Sequence, residues 1–234
     1  MDSRTALEPL PAAARAIAET ALAQAPVLYD ASRDYGRNTA PEYGLFYLGA
    51  ARAQLELARF VAGLERRPAG LSPLSPRDVS GEIAAVRDDL LAAYLPPLSI
   101  DKHAEFIEIN AQLKEAAELA SAGARYGALL RLLEAKSRLS WLTHPGRSLA
   151  ADEAARRGLE VETTLDSLSG DTSLQRLFLE SALSAGSDPD PAARGGEIAA
   201  AIFDAVLPSF PTLLGPAPTR PPEPLAEATV TLVR

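Results

Sequence analysis

The 234-residue chain contains no cysteine, one methionine, one tryptophan and two histidines. The absence of cysteine excludes disulfide bonds, thiolate metal sites and cysteine nucleophiles, and it is compatible with reducing and oxidising compartments alike. No run of about 18 uncharged apolar residues occurs, so the sequence predicts no membrane insertion. The first twenty residues also lack the basic and then apolar order of a signal peptide. We therefore expect a soluble protein, either cytoplasmic or exported after removal of a signal.

Positive charge is scarce as well. The chain has 31 acidic and 23 basic residues, a formal net charge of −8, so it lacks the basic surface that a nucleic-acid partner requires. The common motifs of zinc proteases, serine hydrolases and nucleotide-binding loops are absent. The acids nearest to His103 fall on another helix face, and His144 follows the pattern of a turn. The sequence predicts no catalytic residue, no cofactor and no metal site, and it favours a protein that is not an enzyme.

Alanine and leucine dominate the sequence, and alternating strand patterns are rare. Helix caps and prolines supply the punctuation, which predicts an all-α protein of about eight helices in antiparallel hairpins, as a bundle or a short repeat-like array. Residues 1–207 are expected to form one helical domain. Residues 208–234 contain seven of the 19 prolines and are predicted to be an extended tail, whose last residues, ATVTLVR, alternate as a strand does.

The first two helices are predicted over residues 11–24 and 41–66, separated by a break or kink at Pro26 and a polar segment. In the second helix an apolar stripe is expected to face the core, which would place this helix near the middle of the fold. The stripe consists of Tyr43, Phe46, Ala50, Ala53, Leu57, Phe60 and Leu64. Gly49 and Ala53 are expected to admit a neighbouring helix closely, and the alternative for this small patch is a ligand pocket.

Six further helices are predicted along the rest of the domain. Four of them are predicted at about 79–95, from a cap at Ser99 or Asp101 to the break at Gly123, 124–141 and 149–168; the seventh begins with TSLQ at residue 172, and the eighth follows Pro191 and ends near Leu207. Thr172 and Gln175 have the spacing of a capping box at the start of the seventh helix.

One helical hairpin is similar to a known repeat family. The segment AELASAGARYGALLRLLEAKSRL, residues 117–139, resembles the hairpin of tetratricopeptide-type repeats, in which a glycine turn precedes a tyrosine and an alanine-leucine pair. Ala128 follows Tyr126 after one residue, where the family pattern leaves two. The resemblance implies an interaction scaffold of stacked helix pairs, and a generic antiparallel hairpin is the alternative interpretation.

Tyrosine is concentrated in one stretch, where four of the six tyrosines occur within 19 residues together with arginines. Tyrosine and arginine are enriched at recognition surfaces. The predicted binding residues are Tyr29, Arg33, Tyr35, Arg37, Tyr43 and Tyr47. The leading hypothesis is a helical binding or scaffolding domain for a protein or peptide partner. The alternative is a small-ligand receptor or enzyme with a cleft near Tyr43, Tyr47 and Trp141.

Overall fold

The fold is known from a computed structural model that describes residues 7–38, 40–64, 66–68, 70–94, 100–188, 190 and 194–216. The all-α class is confirmed, with a single two-stranded sheet among the described residues. The helices are α1 Ala12–Asn38, α2 Pro41–Ala62, α3 Ser80–Ala93, α4 Ile100–Ser121, α5 Arg125–Thr143, α6 Ala151–Asp166, α7 Ser173–Gly186, α8 Gly195–Ala201 and α9 Phe210–Leu213. The strands are β1 Leu74–Pro76 and β2 Leu214–Pro216.

The main core is built around α5, which is buried on most of its surface. Its leucines Leu129, Leu132 and Leu133 are fully buried and belong to one cluster with side chains of α3, α4, α7 and α8. The turn between α4 and α5 contains Gly123 at φ +76°, a left-handed conformation that favours glycine. The hairpin predicted over residues 117–139 is therefore formed by the end of α4 and most of α5. We call the assembly of α3 to α9 and the two strands the body.

Two buried carboxylates join α1 to the body. Glu19 of α1 accepts hydrogen bonds through Oε2 from the backbone N–H groups of Tyr126 (2.9 Å) and Gly127 (3.0 Å), at the start of α5. Asp171 accepts a hydrogen bond through Oδ2 from the N–H of Ala12 (2.8 Å), at the start of α1. The first N–H groups of a helix have no partner within the helix and carry the positive end of its dipole, so each carboxylate satisfies a helix N-terminus.

The first helix continues through Pro26 to Asn38, so the predicted break at Pro26 and the polar loop after it are wrong. Residues 12–25 of α1 are buried or half-buried, whereas most residues from Pro26 to Arg37 are exposed. Proline 26 thus stands where α1 leaves the body, and the helix continues there because it packs along α2. Helices α1 and α2 form a long hairpin whose outer half projects into solvent.

The domain continues past the predicted boundary at residue 207. Residues Ile202–Val206 form a π-helix, Leu207–Ser209 a 3₁₀ turn, and α9 follows directly, so the chain is helical from α8 to Leu213. Phe210, Leu213 and Leu214 are buried in the main core. Strand β2 then pairs antiparallel with β1, with Ser75 opposite Gly215. The predicted extended tail therefore does not begin at residue 208, and its later part, including ATVTLVR, lies outside the described residues.

Candidate protein-binding surface

Helix α2 contacts α1 through its smallest side chains. Gly44, Ala51 and Ala58 are buried and lie seven residues apart, so they form one line along the helix. A Cβ atom on Gly44 would lie 3.0 Å from the backbone nitrogen of Gly36 and 3.1 Å from the carbonyl oxygen of Ser32. The two backbones approach so closely here that a side chain at position 44 would require the α1 backbone to shift by a few tenths of an ångström.

The predicted stripe of α2 does not face the core, and that prediction is wrong. A Cβ atom on Gly49 would meet no heavy atom within 4 Å, and Ala53 is exposed. Small residues do admit a neighbouring helix, as expected, but along the line of Gly44 and Ala51 rather than that of Gly49 and Ala53. The physical reason is that the small line allows a close backbone approach, which leaves the large side chains directed outward.

Large apolar side chains consequently lie in solvent along most of α2. Leu45, Phe46 and Phe60 are 71%, 68% and 69% exposed. We define the outer face of α2 as Tyr43, Leu45, Phe46, Leu48, Leu55, Leu57 and Phe60, all of which are exposed. The exposed charged residues Arg52, Glu56 and Arg59 lie among these side chains. So many exposed large apolar side chains on one helix are typical of a site that another molecule covers.

Three of the predicted binding residues meet at the projecting end of the hairpin. The ring of Tyr35 on α1 stacks on that of Tyr47, with centroids 5.2 Å apart and 14° between the planes. The Tyr35 and Tyr43 centroids are 5.9 Å apart, and Phe46 meets the Tyr47 ring edge-on at 5.5 Å. We call these four side chains the aromatic cluster. It joins α1 to the outer face of α2 and leaves Tyr35 and Tyr43 about half exposed.

The other three predicted residues lie along the projecting half of α1. Tyr29 is half exposed and makes no ring contact with an aromatic side chain of the described residues. Arg33 forms a loose, exposed ion pair with Asp30 at 3.9 Å. Arg37 is exposed, and it has no ion pair within the part of the chain that the structure describes. The structure thus places these three near the aromatic cluster on the same hairpin, and within the described residues no hydrogen bond or ring contact joins them to one another.

A groove of about 730 Å³ lies beside the outer face, between the hairpin and the end of α4. Ala23 and Val27 of α1 and Phe46 and Ala50 of α2 line it on the side of the hairpin. The opposite wall carries the charged side chains Lys114, Glu115 and Glu118 of α4. Glu115 is held in place, since it accepts a hydrogen bond from Gln24 (3.0 Å) and pairs with Arg131. The groove is therefore mainly apolar on the side of the hairpin and charged on the side of α4.

Trp141 lies elsewhere, in a cavity of about 650 Å³ between α4, α5, α7 and α8 whose lining contains neither Tyr43 nor Tyr47. Its indole N–H donates to Glu197, and the guanidinium carbon of Arg194 lies 4.2 Å from the centre of its ring. The hydrogen bond from Arg194 lowers the pKa of Glu197, and Trp141 adds to that effect. The arginines lining this cavity are all engaged with glutamates. The alternative hypothesis predicts one cleft near Tyr43, Tyr47 and Trp141. The cavity that contains Trp141 is lined by neither tyrosine.

The two histidines lie at the surface, and within the described residues neither belongs to a group of side chains with metal-binding geometry. His103 is exposed beside Tyr94 and Phe106, and His144 ends α5 with its ring nitrogen 3.2 Å from the carbonyl oxygen of Ser140. Within the described residues, no three side chains of His, Asp or Glu are grouped as metal ligands. No helix of the described chain is long and apolar enough to cross a membrane.

The main functional feature that sequence reasoning missed is the exposure of Leu45, Phe46 and Phe60. The signal is present in the sequence as the seven-residue spacing of Gly44, Ala51 and Ala58, which marks the seam toward α1.

Comparison of the chain with protein-family models, curated proteins and solved structures finds no significant match. Function is therefore inferred from the side chains and surfaces of this chain alone.

Proposed function

We propose that the protein is a non-enzymatic helical binding domain that recognises a protein or peptide partner through the outer face of α2 and the aromatic cluster. The observation that carries the proposal is the exposure of Leu45, Phe46 and Phe60 on one helix, each about 70% accessible. Leaving such side chains in water costs roughly 1.5–3 kcal/mol apiece relative to burial. A partner that covers them recovers this free energy on binding.

The charges around this surface favour a protein over an anionic membrane or a nucleic acid. Residues 26–62 contain four acidic residues, four arginines and no lysine, so the projecting hairpin is neutral while the chain carries −8. Membrane surfaces and nucleic acids attract clusters of positive charge, which are absent from this part of the sequence. Mixed arginine, tyrosine and aliphatic surfaces are characteristic of protein interfaces.

An amphipathic helix is the partner element that fits the groove beside α2. Helix-in-groove recognition uses an apolar helix face laid along a hydrophobic channel, with flanking charges that set orientation. The groove here has small, aliphatic and aromatic side chains on the side of the hairpin, Ala23, Val27 and Phe46. Lys114 and Glu118 on the other wall form a loose ion pair at 3.8 Å and are both largely exposed. Exposed pairs of this kind are weak, so their charges can pair instead with charges on the partner helix.

Site-specific photo-crosslinking provides the test. A benzophenone amino acid at position 46 should capture a protein partner in cells, and the same probe at Leu159, an equally exposed leucine of α6, should capture none. With the captured partner in hand, its affinity should fall for Leu45→Ser and Tyr35→Ala by roughly 30-fold, since an interface anchor contributes about 2 kcal/mol or more.

Three controls accompany the affinity measurement. Leu159→Ser, His103→Ala and His144→Ala should leave the affinity unchanged, because these residues lie outside the proposed surface. Loss of affinity for a histidine variant with retention for the α2 variants would refute the proposal. Crosslinking only between copies of this chain would instead identify the surface as a self-association interface.

A further inference from the structure

A second cavity, unrelated to the hairpin, lies in the body. It has a volume of about 510 Å³, opens to solvent on one side, and is lined by residues of α6, α7, the π-helix, α9 and the two strands. Leu165, Phe203, Phe210 and Leu214 line it and are all buried, so the interior is apolar. The volume falls within the range of about 300–1,000 Å³ that small-molecule sites occupy.

Gln175 is the one polar residue among the buried lining side chains, since Arg157 is half-buried and Glu160 and Thr164 are exposed. Gln175 of α7 is 6% exposed, and its Oε1 receives no hydrogen bond from the described residues. The predicted capping-box role of Gln175 is not realised, because Thr172 makes no side-chain capping bond. Asp171 satisfies the start of α7 instead, accepting hydrogen bonds from the N–H (3.1 Å) and hydroxyl (2.6 Å) of Ser173. A buried amide oxygen without a donor is uncommon in native proteins.

The wall formed by residues 202–206 is also unusual. These residues adopt a π-helix, a rare conformation that occurs most often at functional sites. The π-helix and the 3₁₀ turn after it place Phe203, Leu207 and Phe210 on the same side of the chain, toward the cavity. This rare winding therefore lies in the wall of the cavity.

The charged side chains near the opening of the cavity are already paired with side chains of opposite charge. Arg157 donates a hydrogen bond to Asp204 (3.0 Å), and its guanidinium carbon lies 4.9 Å from the centre of the Phe203 ring. Glu160, the other charged lining residue, is exposed and pairs with Arg156. The cavity therefore presents no uncompensated charge to a ligand.

We infer that this cavity is a binding site for a neutral, mainly apolar small molecule that donates one hydrogen bond, from a hydroxyl or N–H group, to Gln175 Oε1. The apolar wall supplies the affinity and the amide selects the polar group. An analogue without the donor leaves the amide oxygen unsatisfied, so the site discriminates against it. This inference does not depend on the proposed protein-binding function.

Fluorescence titration with N-phenyl-1-naphthylamine, which is apolar and carries one N–H group, tests the site directly. The probe should bind the full chain saturably, and Val161→Trp, which fills the cavity from the α6 wall, should abolish binding while the protein still melts cooperatively. The double variant Phe46→Ser and Phe60→Ser should bind the probe as the original protein does. Absence of saturable binding, or loss of binding only in the α2 double variant, would overturn the inference.

A pair of competitors tests the role of Gln175. On the original protein 2-naphthol should displace the probe about tenfold more effectively than 2-methoxynaphthalene, which lacks the donor. Gln175→Leu keeps the side-chain volume and removes the buried amide, so it should fold with unchanged or higher melting temperature and bind both competitors equally. Persistence of the tenfold preference in Gln175→Leu would show that the amide does not select the ligand and would overturn that assignment.

Discussion

The body and the α1–α2 hairpin hold their helices together in opposite ways. In the body, fully buried leucines such as Leu132 and Leu133 fill the space between helices. In the hairpin, the buried residues of α2 are mostly glycine and alanine, and its leucines and phenylalanines face solvent. The difference shows that one all-α chain can place its apolar volume either between helices or outside them, depending on where its smallest residues lie.

The two arrangements differ in free energy. A buried leucine contributes roughly 1.5–3 kcal/mol through the hydrophobic effect, whereas each methyl-sized group contributes about 0.8 kcal/mol. A seam of Gly44, Ala51 and Ala58 therefore buries little apolar area, and the projecting half of the hairpin should be among the first parts to open locally. Its exposed side chains remain available to stabilise the hairpin when a partner covers them.

The largest effect is expected from Leu133→Ala in the centre of the body. Truncating a fully buried leucine removes transfer free energy and leaves a cavity, and it should lower the free energy of unfolding by about 2–5 kcal/mol. The matched change Leu48→Ala on the outer face of α2 should alter it by less than about 0.5 kcal/mol. Urea titrations of both variants measure the contrast. Equal losses would mean that the outer face is buried in solution, and the comparison would fail.

The junction between the two regions should show the next largest effect. Glu19→Ala removes the acceptor of two backbone N–H groups at the start of α5, together with the ion pair to Arg15, and should cost about 1–3 kcal/mol. Hydrogen exchange of the Tyr126 and Gly127 amides should accelerate in this variant. Glu56→Ala, which breaks an exposed ion pair of α2, should cost no more than about 0.5 kcal/mol. A Glu19 variant as stable as the Glu56 variant would show that α1 does not depend on this contact.

Most of the body was predictable from sequence because its helices carry clear stop signals. The predicted ends of the helices near Gly123 and His144 agree with the structure to within a few residues. The predicted break at Pro26 was wrong because it rested on the intrinsic cost of proline in a helix, which is a local quantity. Packing of α1 along α2 is a long-range contribution, and local propensity contains no information about it.

The candidate site was predicted only in part, again because local sequence patterns contain no information about long-range packing. Tyr35, Tyr43 and Tyr47 were selected by composition, and the hairpin brings them together as the aromatic cluster. The orientation of α2 was predicted wrongly, because the helix is apolar over a wide arc and two stripes compete for the buried side. The stripe of small residues is the one that is buried, because it permits the closer approach of the two backbones. Hydrophobicity alone does not describe this effect.

Two glycines of the same helix provide a sharper test of the hairpin seam. Gly44→Leu inserts a side chain where a Cβ atom already meets the α1 backbone at about 3 Å, and it should destabilise the protein by about 1–3 kcal/mol. Gly49→Leu adds a side chain in open space and improves helix propensity, so stability should stay equal or rise by up to about 1 kcal/mol. Thermal melts of the two variants decide between the seams. The opposite order would restore Gly49 as the buried position.

The smallest predicted effect concerns an ion-paired carboxylate of the body, Asp204. Burial raises the pKa of its carboxyl group, but hydrogen bonds from Arg147 and Arg157 outweigh burial and hold the pKa below the usual 3.8. A carboxyl group whose pKa is lower in the folded state stabilises the fold above the unfolded pKa, and this contribution is lost as the pH falls through the folded pKa.

Asp204→Asn should therefore be less stable than the original protein at pH 7, by no more than about 1 kcal/mol because the pair is partly exposed. The difference in the free energy of unfolding between the two proteins should become smaller below about pH 4 and vanish as the carboxyl group of Asp204 becomes protonated. Denaturant titrations of both proteins at pH 7 and pH 3 measure the two gaps, and subtraction removes the other titrating groups that they share. A gap that is as large at pH 3 as at pH 7 would show that Asp204 acts through packing rather than charge.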